Sequence, residues 1–160
     1  MSRESILARV LALAQAVKTD DVTIKSAVRN RGLLDTEKRP AIVLLDGDET
    51  NNLPPRPPGR GGTTLPPAIV TMTPELFILL EEVRPKQEDK QVGQRINAYR
   101  EALASALAGD TVLLGLLGSN GRMEYRGCAT DLKSGSALSG EMRLDFAFTY
   151  VFNPASASAS

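Results

Sequence analysis

The chain contains no histidine, no tryptophan and one cysteine, Cys128. Each absence removes a class of chemistry. Without an imidazole to take the proton from an attacking hydroxyl or thiol, Ser-His-Asp and Cys-His nucleophilic sites are excluded. Zinc sites draw on His and Cys ligands and lose their usual forms. A single cysteine cannot form an intramolecular disulfide, which suits a reducing compartment or a fold that needs no staple. Net charge is missing too, since 19 basic and 19 acidic side chains cancel. Composition therefore supplies no bulk attraction to nucleic acid or to an anionic membrane. No window reaches the roughly 18 uncharged apolar residues that would span a bilayer. The start, "MSRESILARVLALAQAV", carries Arg3, Glu4 and Arg9 where a signal peptide has an unbroken apolar core. A soluble protein is expected, and the chemistry left open is that of carboxylates with a hard cation such as magnesium.

What is present suits one domain. A length of 160 residues with 42% hydrophobic content is enough for one core and too little for two. Ile6, Val10, Leu13 and Val17 recur at helical spacing, with Leu7, Leu11 and Ala14 widening the stripe, so a helix over 3–18 is expected with Ser2 as its cap. "TDDVTIKSAVRNRG" alternates weakly and is expected to be mostly irregular. "AIVLL", after Pro40, is a short buried strand. "AIVTMTPELFILLEEV" resumes strand character, and the missing N–H of Pro74 predicts a bulge or an edge position there. Ile96, Tyr99, Leu103 and Leu107 mark a second helix, broadened by Ala102 and Ala106 and ended at Gly109. Asp110 can cap a short apolar helix, "TVLLGLLG", with a strand as the alternative.

Two strands close the chain, "RMEYRGCAT" and "GEMRLDFAFTYVF", as a hairpin around "DLKSGSALSG". In the second, Met142, Leu144, Phe146, Phe148, Tyr150 and Phe152 share one face, while Arg143, Asp145 and Thr149 share the other. This strand holds most of the chain's aromatic residues and is expected to be a main source of core. Cys128, on the preceding strand, is expected to be a small core residue. "NPASASAS" is low-complexity and expected to be disordered.

The main irregularity is "DETNNLPPRPPGRGGTTLPP": six of the ten prolines lie from Pro54 to Pro67, with Gly59, Gly61 and Gly62. Such a segment builds neither a ladder nor a core, and it is read as a long loop over 48–67 projecting between two strands. The expected fold is α+β. A mostly antiparallel sheet of four to five strands packs against two main helices in a single domain over 1–153, followed by the tail at 154–160.

One stretch, "AIVLLDGDET", imitates an enzyme. Asp46 and Asp48 at the end of a buried strand match the opening of a magnesium-dependent phosphotransferase of the haloacid-dehalogenase type. There Asp46 would attack phosphorus and Asp48 would manage the leaving-group proton. Against this, a Pro/Gly loop follows where that fold requires a helix. A downstream lysine and a second acidic pair are also lacking, since "GDTVLLG" supplies Asp110 but Gly115 five positions on. "PPGRGG" contains Arg56 and Arg60 but lacks the Gly-Lys-Ser/Thr ending of a P-loop. Solvated acids at a strand exit are the simpler reading, and no cofactor or metal is implied.

The last third carries a family likeness. "RINAYREALASALAGDTVLLGLLGSNGRMEYRGCATDLKSGSALSGEMRLDFAFTYVF" resembles the C-terminal half of tail terminator proteins of long-tailed bacteriophages, most distinctively in "YRGCATDL" and "GEMRLDFAFTYVF". The N-terminal amphipathic helix, "RPAIVLLDGDE", the Pro/Gly loop and "AIVTMTPELFILLE" follow in the same order, so the likeness covers about residues 1–154. The resemblance implies a non-enzymatic virion protein made in the host cytoplasm. It implies a ring, usually hexameric, that caps the tail tube, ends its polymerisation and receives a head-completion or stopper protein. Its partners would be copies of itself, tail tube protein and the stopper, with DNA only in transit and no membrane. Another neck or tail completion ring is the alternative. On this reading Asp46, Asp48, Glu49, Arg56 and Arg60 are candidate contacts with a neighbouring subunit or ring, and acids facing the channel would discourage DNA from sticking.

Overall fold

The computed structural model describes residues 3–19, 23–32, 38–52, 67–80, 89–133 and 139–154. They form one five-stranded sheet and, among the described residues, three helices. In chain order these are α1 (Arg3–Gln15), β1 (Ser26–Arg29), β2 (Ala41–Asn51), β3 (Ala68–Leu79), α2 (Asp89–Gly109), α3 (Thr111–Leu117), β4 (Arg122–Lys133) and β5 (Ser139–Phe152). The strand order is β1-β2-β3-β5-β4. Only β1 and β2 run parallel; the other pairs are antiparallel. The fold is α+β and mostly antiparallel, as the sequence pattern suggests.

All three helices bury their apolar stripes on one side of the sheet. Ile6, Leu7, Val10 and Ala14 of α1 meet Val92, Ile96, Tyr99, Leu103 and Leu107 of α2 and Leu113 and Leu117 of α3 in one core. Alternate strand residues complete it: Ile42 and Leu44, then Val70, Met72, Leu76 and Ile78, then Met142, Leu144, Phe146, Phe148 and Tyr150. Each large side chain fully removed from water contributes roughly 1.5–3 kcal/mol, which makes the aromatic stripe of β5 a principal source of stability. Phe152 ends that stripe 39% exposed.

The architecture departs from the sequence expectations in several places. The short apolar segment after Asp110 takes its helical alternative, so three helices rather than two main ones pack on the sheet, and α1 stops at Gln15. The stretch expected to be irregular contains β1, whose register sets Ala27 beside Ile42 and Val28 beside Val43. Four residues are too few for alternation to declare itself, and pairing with β2 selects the extended form. Cys128 is exposed rather than core. It pairs with buried Leu144, but β4 is the outermost strand, where facing the helix side does not guarantee cover.

Of the two alternatives expected at Pro74, a bulge is found and an edge position is not. β3 is one uninterrupted strand between β2 and β5, not two pieces and not an edge. The ladder is relieved on both flanks of the proline. On one side Leu45 pairs with Glu75 and Asp48 with Thr73, so Asp46 and Gly47 together oppose Pro74 as a bulge. On the other side, pairing skips from Met72↔Phe148 to Glu75↔Asp145. A proline without an N–H is tolerated in a central strand because neither neighbour draws on a donor at that position. Gly47 makes the bulge feasible by adopting φ 66°, a conformation that disfavours other L-residues.

Asp110 is the cap of α3, accepting from the Leu113 N–H at 2.6 Å. Its carboxylate also takes both a 3.0 Å and a 2.6 Å hydrogen bond from Arg9 of α1. One side chain thus satisfies an orphan helix donor and ties two helices. Asp110→Ala should lower the thermal midpoint more than Arg9→Ala, with the double variant no worse than Asp110→Ala. Equal effects of the two single substitutions in a melting comparison would show that the cap is idle.

Candidate functional site

The acidic motif lies within a strand rather than at its end: β2 continues through the bulge to Asn51. Of the projecting loop expected over 48–67, residues 48–51 are strand instead. Residues 53–66, with Arg56 and Arg60, lie outside the described residues, as does the tail at 155–160.

Asp46 is engaged by its own chain. Arg29, the last residue of β1, donates to its two carboxylate oxygens at 2.5 and 2.7 Å. The remaining arm of Arg29 reaches Glu4 of α1 at 2.6 Å. Arg3 donates to the carbonyls of Asp46 and Gly47 at 3.0 and 2.6 Å, and the Asp46 N–H donates to the Asn30 side chain at 3.1 Å. This is a clamp: two arginines fasten the first turn of α1 to the end of β1 and to the bulge of β2. The Arg29 hydrogen bonds hold the Asp46 carboxyl below its ordinary range, with Asn30 and the charges of Arg29 and Arg3 adding to them. Glu4 is likewise lowered by Arg29. The guanidinium of Arg29 is in turn pushed up, by Asp46 first and Glu4 second.

The clamp predicts a pH dependence with a definite sign. A carboxyl whose folded pKa is depressed adds stability that is complete above its unfolded value, about 3.9 for aspartate, and is lost as pH falls through the folded value. A hydrogen-bonded charge of this kind is worth about 1–2 kcal/mol. Asp46→Asn should therefore be destabilised by that amount at pH 7, with the difference from wild type shrinking as pH drops below about 4. Urea titrations at several pH values test this; a gap that stays constant down to pH 3 contradicts it.

The next acids leave in different directions. Asp48 pairs with Thr73 on the sheet face away from the helices and is exposed. Glu49 pairs with Met72, whose side chain belongs to the helix-side core, and accepts a hydrogen bond from the Tyr150 hydroxyl. That phenol is pushed up, by burial first and by Glu49 second. Asp46 and Asp48 thus lie on opposite faces, so they cannot flank one phosphorus atom as nucleophile and proton carrier. Among the described residues, no cluster of three or more His, Cys, Asp or Glu is placed to hold a metal ion. Likewise, none of their helices is long and apolar enough to cross a membrane.

What remains is surface of two kinds. The first is the sheet face opposite the helices, whose character changes across the strands. Val28, Val43 and Phe77 stand side by side across β1, β2 and β3, and with Ala41, Leu45 and Leu79 they form a small second apolar cluster. Further along, charges replace them: Arg143 reaches Asp145 at 3.1 Å and Glu75 at 3.9 Å. Toward the far end a polar ladder crosses three strands, where Asn52 donates to Thr71 at 2.6 Å and the hydroxyls of Thr71 and Thr149 lie 2.9 Å apart.

The second surface is the outer edge of β4, paired on one side only among the described residues. Its Arg122 and Arg126 both contact Glu124, at 2.9 and 3.7 Å. Tyr125 is 48% exposed and leans on Phe146 with ring centroids 5.4 Å apart. Among the described residues, the exposed large apolar side chains, Val112, Leu114, Tyr125 and Phe152, all belong to α3, β4 or β5.

Sequence reasoning missed the residues that engage Asp46, namely Arg3, Arg29 and Asn30, and Glu4, which holds Arg29. The one available signal was "SAVRN", a short alternation ending in arginine before a turn. Comparison of the chain with protein-family models found no match, and comparison with curated proteins found none either.

Proposed function

We propose that this chain is a structural subunit of a long-tailed phage virion, a tail terminator. It forms a ring, hexameric by the resemblance, on the completed tail tube, ends tube polymerisation and presents the surface that receives the head-completion or stopper protein. The reading rests on the likeness of 1–154 to that family. The observation that carries it is the division of labour among the acids. Asp46 is spent on holding α1 to the sheet, and Glu49 on Tyr150. Asp46, which imitates the nucleophile of a phosphotransferase, serves the fold, while among the described residues the sheet face opposite the helices and the outer edge of β4 remain for other protein chains. Asp48, exposed on that face, is the acid of the motif best placed to meet a neighbour; Arg56 and Arg60 are retained as partner contacts from the loop. DNA passes through the ring without being bound, in keeping with a chain whose charges cancel.

The test is the mass of the purified protein, alone and mixed with tail tube protein. A closed ring gives about six times the 17.2 kDa of one chain, in solution or on the tube end. A protein that stays monomeric and never binds the tube overturns the proposal. Binding to the head-side neck components without touching the tube would assign it to another completion ring.

A further inference from the structure

We draw no further inference here: the strongest candidate, the unpaired outer edge of β4 with half-exposed Tyr125 beside it, carries its own bulge and its own Arg122–Glu124–Arg126 contacts, and nothing in the structure shows what covers it.

Discussion

Gly47→Ala should lower stability by about 2–4 kcal/mol, the sum of a strained left-handed residue and overpacking of a closed site. A Cβ at Gly47 would lie 1.9 Å from the Thr73 carbonyl oxygen, 2.6 Å from its carbon and 3.0 Å from the Pro74 Cα. None of these is the end of a flexible side chain, so relief requires moving backbone in a central strand. Moving β2 instead would draw Asp46 away from Arg29 and loosen the hold on α1. For a domain of this size each kcal/mol corresponds to roughly 2–4 °C, so the melting midpoint should fall by on the order of 10 °C. Gly93→Ala is the matched control. Nothing lies within 4 Å of a Cβ there, and the residue sits in α2, where alanine is favoured by about 0.5–1 kcal/mol. If Gly47→Ala melts within a degree or two of wild type, the bulge is not the constraint described above.

On the proposed terminator role, replacing residues 53–66 with Asn-Gly should leave folding intact and abolish capping of the tail tube. The hairpin is already closed at its outer end: Asn51 pairs with Val70, and Asn52 donates through its backbone to Ile69 at 2.9 Å. The graft leaves a short loop of a kind common in hairpins. The deletion must begin after Asn52, because the Asn52 side chain also supports Thr71; removing residue 51 or 52 would confuse a folding defect with an assembly defect. A segment rich in prolines loses less entropy on docking than a glycine chain, which is the physical ground for proposing Arg56 and Arg60 as contacts. Expected results are an unchanged melting midpoint, tails of uncontrolled length and a titre reduced by orders of magnitude. Tails of normal length with an unchanged titre would remove the loop from the assembly mechanism. A lowered midpoint would instead place its role in the fold.

The helices and the last strand were legible because periodicity is a property of neighbouring residues. Ile96, Tyr99, Leu103 and Leu107 share a face of any helix, and Met142 through Tyr150 share a face of any strand, whatever packs against them. Their burial in one core follows. The capping role of Asp110 is equally local and was readable in the same way. Composition also narrowed the chemistry, since no fold can restore a histidine the chain lacks.

Other features depended on partners distant in sequence. β1 is a strand because β2 lies beside it. Pro74 sits in the middle of the sheet because Gly47, far upstream, bulges opposite it. The acids of "AIVLLDGDET" separate to two faces because that bulge adds one residue to the alternation. Asp46 is a structural anion because Arg29 reaches it from the next strand. By itself the sequence determined which side chains could form helices, a core strand and a cap, and which reactions were out of reach. Only the tertiary structure decided what Asp46 does, because a carboxylate's role depends on the cation that reaches it, and here that cation, Arg29, comes from another strand.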